Sequence, residues 1–300
     1  MEVKGIKDSR VDQLFTVINY SLLSIVLVMV LYPLIYILSA SFSSTEAVTT
    51  GKVWLFPVDF SLEGYKAVFK HPHIMTGFMN SLYYMVVGTF VNVVLTILAA
   101  YPLSRKDFNG RKVFMLLFIF TMIFDGGLIP RYLLVKDLGL LDTRWALIIP
   151  TALSVWNVMI AKTYFSTTIP EELLNAAQID GCNDFKFVWK IVLPLSMPII
   201  AVISLFYAVG HWNQFFNALI YLKDQSLYPL QLVLNEILVQ SKVSMDMMNG
   251  TQAEELSKIM GLAEQLKYAL IVVASVPVLA IYPFVQKHFV KGVMIGSVKE

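Results

Sequence analysis

The segment Ser166-Thr-Thr-Ile-Pro-Glu-Glu-Leu-Leu-Asn-Ala-Ala-Gln-Ile-Asp-Gly181 has the residue order that begins and ends a short helix. Pro170 suits the first turn, where its missing N–H is not needed, and Glu171 and Glu172 suit the positive end of the helix dipole. Gly181 is a natural stop, because glycine readily adopts the left-handed conformation that follows many helices. We therefore predict a helix over 170–181, and a second helical stretch over 183–192 that ends at Pro194.

Long apolar segments lie on both sides of this loop and recur along the chain. The 300 residues are 57% hydrophobic and 15% charged, with a mean hydropathy of +0.67, whereas soluble domains carry about 25% charged residues. Because about 20 apolar residues cross the hydrocarbon core, six segments qualify as spans: 14–40, 78–103, 113–129, 145–165, 198–218 and 266–286. The first is too long for a signal peptide and no small-residue cleavage site follows it. The expected fold class is an all-α integral membrane protein, with six transmembrane helices within residues 14–290.

The distribution of lysine and arginine predicts the orientation, because these residues favour cytoplasmic loops. With the N-terminus inside, 13 Lys and Arg occur in the 72 residues of the inside segments 1–13, 104–112, 162–197 and 287–300. The outside segments 41–77, 131–144 and 219–267 hold 10 in 100 residues. The shortest inside loop alone, 104–112, holds four. We therefore expect an N-in and C-in topology, with the loop 166–197 and the tail 291–300 in the cytoplasm. The long loop 219–265 then lies outside.

Composition also excludes several classes of function. The net charge of +2 and the lack of interleaved basic and aromatic residues argue against nucleic-acid binding. Cys182 is the only cysteine, so neither an intrachain disulfide nor a cysteine-based metal site is possible, and the four histidines have no metal-ligand spacing. The sequence contains no GxxxxGK[ST] loop and no Ser-His-Asp set, and no span contains paired carboxylates. The sequence therefore predicts neither an enzyme nor a cofactor or metal site within this chain.

The helix of the cytoplasmic loop has two physical interpretations of equal weight: a connector on the bilayer, or a docking element. A resemblance favours docking. Asn175-Ala-Ala-Gln-Ile-Asp-Gly181 and, nine residues later, Ile191-Val-Leu-Pro194 resemble the "EAA" loop of bacterial ABC importer permeases. The family pattern is Glu-Ala-Ala, three residues, Gly, nine residues and Ile-x-Leu-Pro. This chain departs from it at the first position, where Asn175 replaces the usual Glu. The docking contact of Asn175 should therefore be polar without a charge.

The resemblance extends over nearly the whole chain, to the smaller, maltose-type permease of the carbohydrate-uptake group. The motifs Phe124-Asp-Gly-Gly-Leu-Ile-Pro130 and Gly210-His-Trp-Asn-Gln-Phe-Phe216 are similar to that group. It implies a type I ABC importer transmembrane-domain fold in a bacterial cytoplasmic membrane. It also implies four kinds of partner: a second homologous permease, two cytoplasmic ATPase subunits that bind ATP and Mg, an extracellular or periplasmic solute-binding protein, and a sugar or oligosaccharide. The residues that it implies for ATPase coupling are Glu171, Glu172, Asn175, Ala176, Ala177, Asp180, Gly181 and Pro194.

Polar residues within a span usually face the bundle interior or a cavity, because exposing them to lipid is costly. The fifth span carries most of them, interleaved with aromatic residues that suit sugar C–H faces. The candidate solute path is Ser204, Tyr207, His211, Trp212, Asn213, Gln214 and Asn217, together with Asp125 of the third span. The alternative for each residue is interhelical hydrogen bonding, worth about 0.6–2 kcal/mol. For Asp125 the alternatives are an ion pair with Arg131 or snorkelling to the interface.

The outside loop 219–265 contains a methionine-rich piece that offers an adaptable apolar surface. In maltose-type permeases the corresponding loop reaches into the binding protein, so the resemblance implies binding-protein contacts at Met245, Met247, Met248, Asn249 and Gly250. A helix is expected over 252–260. Two other functions stay open: a permease for a non-sugar solute such as an amino acid or phosphate, and an ion-coupled secondary transporter. The second would need ionisable midplane residues and inverted repeats, which the sequence does not show.

Overall fold

The computed structural model describes residues 9–247, 265–281, 283 and 286. These residues form α-helices joined by short π-helical and 3-10 turns, and no strand occurs among them. The chain divides into two compact units, and each is described by itself. The first comprises the described residues of 1–70 and 240–273, and the second those of 71–239 and 274–300.

The first unit is dominated by one long helix. Its helices are α1 (Arg10–Ser41), α2 (Thr45–Thr49), α3 (Glu63–Lys70) and the first half of α16 (Gln265–Ile281). A capping box begins α1: the Ser9 hydroxyl accepts from the Asp12 N–H, and the Asp12 carboxylate accepts from the Ser9 N–H. Most of α1 is exposed and apolar, so it is a helix whose natural surroundings are lipid.

Polar contacts of a buried glutamine join α16 to the segment after α1 and to the start of α2 within the first unit. The Gln265 amide donates to the Ser43 carbonyl at 2.8 Å, and its side-chain oxygen accepts from the Thr45 hydroxyl at 2.8 Å. Gln265 is fully buried, so these bonds satisfy an amide that would otherwise be costly to bury.

The second unit holds the remaining helices. They are α4 (Pro72–Tyr83), a π turn (Tyr84–Gly88), α5 (Thr89–Ser104), α6 (Arg111–Ile123), α7 (Leu128–Asp137), α8 (Trp145–Ile148), a 3-10 turn (Ile149–Thr151), α9 (Val155–Thr168), α10 (Glu171–Ile179), α11 (Asp184–Phe187), a π turn (Val188–Val192), α12 (Leu193–Leu195), α13 (Met197–Trp212), α14 (Phe216–Tyr221), a 3-10 turn (Gln225–Leu227) and α15 (Leu230–Met247), whose end belongs to the first unit. Its main apolar core lies between α5, α9, α10, α11 and α13.

Several helices are long and apolar enough to cross a membrane. Arg10–Ser41 and Pro72–Ser104 are continuous, and three further pairs qualify if each bent pair counts as one span. These pairs bend by 116° (Arg111–Ile123 with Leu128–Asp137), 53° (Trp145–Thr151 with Val155–Thr168) and 82° (Asp184–Leu195 with Met197–Trp212). Up to five spans are thus found in the described part of the chain, and α16 is apolar but shorter. The α-helical membrane architecture agrees with the sequence, whereas the count of six and the orientation stay predictions.

Three predicted spans differ from the helices. The segment 113–129 stops being helical at Ile123, where Phe124 takes an extended backbone, and Gly127 with a φ of +86° precedes the next helix. The segment 145–165 is interrupted after Thr151, where Ser154 caps a new helix. The segment 198–218 is helical only to Trp212 and resumes at Phe216.

The segment 219–265, predicted as an outside loop, contains a helix that the sequence interpretation missed. It is α15, an 18-residue helix in which polar and apolar residues are mixed, without the long apolar run that marks a span. Its first turns are held by the buried residues Leu230, Leu232 and Val233. The helix expected over 252–260 lies outside the described residues.

Candidate functional site

The second unit contains a cavity of about 670 Å³ where several helices break. It is bounded by α5, by the connection between α8 and α9, and by α13 with the segment that follows it. The lining residues are Asn92, Thr151, Ser154, Trp156, Asn157, Phe206, Tyr207, Gly210, His211, Asn213, Gln214, Phe215, Phe216 and Asn217. Amides, hydroxyls and aromatic rings therefore line one space.

The cavity owes its shape to the interrupted helices, whose backbone groups need other partners near a break. The Gln214 side-chain amide donates to the Leu147 carbonyl at 2.9 Å, and the Asn92 amide donates to the Thr151 carbonyl at 3.1 Å. Both amide side chains are buried. The two amides thus bind backbone on either side of the 3-10 turn and hold the broken region in place.

Tyr207 joins three helices at the cavity wall. Its hydroxyl accepts from the Ser154 backbone N–H at 3.1 Å and lies 2.7 Å from the Thr96 hydroxyl. Because Ser154 is the N-cap of α9, this one phenol connects the start of α9 with α5 and α13. Tyr207 is therefore a structural junction as well as a lining residue.

Three polar atoms of lining residues are buried without a hydrogen-bond partner among the described residues. They are Asn92 Oδ1, His211 Nε2 and Gln214 Oε1. Leaving such a group unsatisfied costs about 1–3 kcal/mol. Asn92 Oδ1 and Gln214 Oε1 accept hydrogen bonds, and His211 Nε2 accepts or donates according to its tautomer. A conformation that opens these atoms towards the cavity would offer partners to a ligand rich in hydroxyl groups.

Five of the predicted path residues line this cavity together: Tyr207, His211, Asn213, Gln214 and Asn217. Three others lie elsewhere. Ser204 lines a separate apolar groove that also includes Thr89. The buried Trp212 donates from Nε1 to the Ala274 carbonyl at 2.9 Å. Asp125 accepts from the Gly127 N–H and pairs with Arg131, outside any helix.

The sequence interpretation missed the lining residues that come from other helices. Asn92, Thr151, Ser154, Trp156 and Asn157 were not among the predicted path residues. The helical periodicity of a single span cannot reveal them, because their place depends on how α5, α9 and α13 pack. The overlooked signal was the break in the helix before α9. Pro150 and the capping residue Ser154 both mark this break in the sequence.

The loop helix α10 is shorter than predicted and has two distinct faces. It begins at Glu171, with Pro170 as its N-cap rather than within its first turn, and ends at Ile179. Leu174 and Ala177 are buried in the core. The exposed members of the predicted coupling set are Glu171, Glu172, Asn175, Ala176, Asp180, Gly181 and Pro194. Ala177 therefore packs inward and is not part of the exposed docking face that the sequence suggested.

Gly181 ends this helix with a left-handed backbone, φ +74°. Its N–H donates to the Gln178 carbonyl at 3.0 Å, and the next N–H, of Cys182, donates to the Ala177 carbonyl at 2.9 Å. A β-carbon at residue 181 would meet nothing within 4 Å. The requirement for glycine thus comes from the backbone angle within this chain, not from crowding.

The loop between α5 and α6 contacts the start of α10. Lys106 pairs with Glu171 at 3.3 Å, and a cleft of about 240 Å³ lies between the two loops. Both side chains are largely exposed, so the ion pair adds little stability. It nevertheless orders the loop after α5 against the helix that the sequence assigns to coupling.

The methionine cluster is only partly described. Met245 and Met247 belong to the last turn of α15, while Met248, Asn249 and Gly250 lie outside the described residues. Within the described ranges, no three His, Cys, Asp or Glu side chains are grouped so as to hold a metal ion.

Comparisons with known proteins agree on one kind of protein. A family model described as "Binding-protein-dependent transport system inner membrane component" matches residues 6–295. The chain is 44% identical over 288 residues to the polygalacturonan/rhamnogalacturonan transport system permease protein YtcP of Bacillus subtilis (strain 168), covering 96% of this chain and 99% of the relative. It is 41% identical over 298 residues to protein LplC of the same organism, covering 99% of each.

A solved structure is similar over almost the same length. It is a crystal structure of a bacterial ABC transporter involved in the import of the acidic polysaccharide alginate. One of its chains superposes with a TM-score of 0.85 at 35% identity, covering 95% of this chain and 99% of that one.

Proposed function

Because the chain belongs to the family of binding-protein-dependent transport system inner membrane components, we propose that it is the permease subunit of an ATP-driven importer of sugars or oligosaccharides. The observation that carries the proposal is the cavity, where amides, hydroxyls and aromatic rings converge from three helical regions. Sugars present hydroxyl groups to polar side chains and apolar C–H faces to aromatic rings. A site with few, well-placed polar groups among aromatic residues suits such a ligand.

The names of similar proteins narrow the proposed substrate. One relative is named for polygalacturonan and rhamnogalacturonan, and the similar solved transporter for the acidic polysaccharide alginate. We propose that this chain likewise passes oligosaccharides derived from acidic polysaccharides. The lining residues include His211 but no lysine or arginine. A sugar carboxylate would therefore be neutralised mainly by groups outside this lining, and the cavity would recognise the hydroxyl-rich rings.

The cytoplasmic face of the proposed importer is the exposed side of α10. Glu171, Glu172, Asn175 and Ala176 project from it, and Leu174 and Ala177 anchor it to the core. We propose that a separate ATPase, which binds ATP and Mg, receives this face with Gly181 at its end. Closure of two ATPase subunits would then move α10, and with it the core that joins α10 to α5, α9 and α13.

The remaining parts of the proposal follow the same arrangement. Six spans with both termini in the bacterial cytoplasm would place α10 inside and α15 outside, where Met245–Gly250 would meet an extracellular or periplasmic binding protein. A second, homologous permease would complete the path. No catalytic role is assigned to this chain, because ATP hydrolysis belongs to the partner.

Reconstitution tests the proposal. The chain is co-purified with its partner permease, ATPase and binding protein, and ATP hydrolysis is measured in proteoliposomes with neutral oligosaccharides, uronic-acid oligosaccharides, amino acids and phosphate. We expect stimulation by the binding protein loaded with a uronic-acid oligosaccharide. Stimulation by amino acids or phosphate alone would refute the sugar assignment. ATP hydrolysis by this chain in isolation would refute its role as a permease.

A further inference from the structure

The segment that follows the loop helix exposes large aromatic side chains. Residues 184–195 form one helical piece, and the next helix, Met197–Trp212, turns from it by 82°. Since α13 is a proposed membrane span, a helix nearly perpendicular to it lies close to the plane of the membrane surface. This orientation depends on the proposed function only in taking α13 as membrane-spanning.

One side of this helical piece is fixed to the protein. Phe187 and Val192 are completely buried in the core of the second unit, and Val188 and Ile191 pack partly against it. The opposite side carries two large aromatic residues that the described residues leave exposed: Phe185 is 79% exposed and Trp189 is 68% exposed. Exposing both rings to water is unfavourable by about 25 cal/mol per Å² of apolar surface.

Two lysines lie beside the aromatic residues. Lys186 and Lys190 each follow one of them in sequence, and both are exposed and form no ion pair within the described residues. The residue pairs 185/189 and 186/190 each repeat at about one helical turn, so an aromatic strip runs beside a basic strip. Asp184 is the acidic residue at the start of the same exposed side.

This combination fits a membrane interface. Helices that lie in the interface bury Trp and Phe at the boundary between headgroups and acyl chains, and their Lys and Arg contact anionic headgroups. We propose that residues 184–195 form an interfacial anchor, with Phe185 and Trp189 in the lipid and Lys186 and Lys190 on anionic phospholipid headgroups of the inner leaflet. The anchor would hold the end of α10 at a constant depth while the ATPase moves it.

A depth measurement tests the anchor in the whole importer. Because Cys182 is the only cysteine in this chain, a Cys182→Ser background with cysteine-free partner subunits allows one spin label at a time. Labels are placed through Trp189→Cys, Leu23→Cys as a lipid-embedded reference on α1, and Asn109→Cys as an aqueous reference in an exposed loop. Nanodiscs of phosphatidylcholine, with or without phosphatidylglycerol, then give collision rates with oxygen and with a water-soluble nickel complex.

We expect the ratio of oxygen to nickel collisions at residue 189 to approach that at residue 23 and to exceed that at residue 109 several-fold, with or without bound ATPase. The ratio at residue 189 should be larger in discs that contain phosphatidylglycerol than in discs of phosphatidylcholine alone. The double change Lys186→Gln and Lys190→Gln should remove this difference, since each basic residue near an anionic surface contributes about fivefold to partitioning. Lys223→Gln, on an outside loop, is the matched control.

Three results would overturn the anchor. Free access of the nickel complex to residue 189 would mean that it faces water. Protection from both reagents only when the ATPase is bound would mean an ATPase interface, and protection from both without ATPase would mean a contact with the second permease. A reference label at residue 23 that is not oxygen-accessible would instead contradict the membrane arrangement itself, so failure of the proposed function is distinguishable from failure of the anchor.

Discussion

The imidazole ring of His211 lies against the backbone of Gly88, so closely that a β-carbon at residue 88 would overlap three atoms of the ring. Gly88 ends the π turn in the long helix Pro72–Ser104, and His211 is buried at the end of α13. The absence of a side chain at residue 88 therefore sets how closely the two helices approach beside the cavity.

Gly88→Ala should destabilise the protein, because the added methyl group must push His211 from its position. Overpacking of this kind costs about 1–3 kcal/mol, measured as a lower midpoint of thermal unfolding in detergent. Adding His211→Ala should recover most of the loss, since the smaller side chain makes room. Gly210→Ala is the matched control, because a β-carbon at residue 210 meets no atom of the described residues within 4 Å. The unfolding midpoint of this variant should stay the same or rise. Equal losses in both glycine variants would contradict the packing argument.

Tyr207→Phe should destabilise the protein more than the loss of one hydroxyl group usually does. It leaves the Ser154 N–H without its acceptor and the Thr96 hydroxyl without its partner, and each buried group left unsatisfied costs about 1–3 kcal/mol. The unfolding midpoint checks this. Tyr164→Phe is the control, because its hydroxyl makes one long, exposed bond of 3.4 Å to the Leu195 carbonyl and should change stability by less than about 0.5 kcal/mol. A Tyr207→Phe protein as stable as the control would exclude the junction.

Trp156→Ala should weaken solute handling without weakening the fold. Trp156 lines the cavity and is 61% exposed, so little packing depends on it. Aromatic contacts contribute about 0.5–1.5 kcal/mol beyond area burial, which predicts a two- to tenfold rise in the KM for uptake in proteoliposomes. Trp145 is similarly exposed but lies outside the cavity lining, and Trp145→Ala should leave KM unchanged. The same KM effect from both variants would mean that the cavity is not the path.

The sequence predicted the membrane-helical architecture well, since long apolar runs reflect one dominant cost, the burial of polar groups in lipid. It also located the Gly181 stop, because left-handed backbone strongly favours glycine. It predicted less of the cavity. His211 and Gln214 lie in one polar segment, whereas Asn92 and Trp156 belong to other helices and are brought in by packing. Breaks at Gly127 and Ser154 were visible as local signals, but hydropathy averaged over a window does not register them.

Different substitutions at Gly181 should separate backbone strain from contact with the ATPase. A residue other than glycine at a positive φ costs about 1–2 kcal/mol, and asparagine tolerates it best. Gly181→Asn should therefore keep most coupled transport, Gly181→Ala should lose part of it, and Gly181→Arg should hydrolyse ATP without uptake. Uptake and hydrolysis are measured together in proteoliposomes. Because a β-carbon at residue 181 would meet no atom of the described residues within 4 Å, its chain neighbours aside, normal uptake by the arginine variant would refute docking at this position.

The Asp142 side chain joins the loop after α7 to the loop after α14, and we expect this contact to depend on pH. Its carboxylate accepts from the N–H groups of Asp224 at 2.9 Å and Lys223 at 2.8 Å, and these bonds hold the pKa of Asp142 below its ordinary value of 3.8. A carboxyl group whose pKa falls on folding stabilises the folded loop at any pH above the ordinary pKa, and this stabilisation is lost as the pH falls through the folded pKa.

Asp142→Asn tests this contact. It keeps the shape at this left-handed position, φ +58°, but offers a weaker acceptor. At pH 7 the amide hydrogens of residues 223 and 224 should therefore exchange faster in the variant than in the wild type. The ratio of the two rates should approach one only below the ordinary value of 3.8, as the pH falls through the lowered pKa of the wild-type carboxyl. The Gly139 amide, which donates to the Lys136 carbonyl in the same region, should show a ratio of one throughout. A ratio of one at pH 7 for residues 223 and 224 would mean that the carboxylate does not hold these loops together.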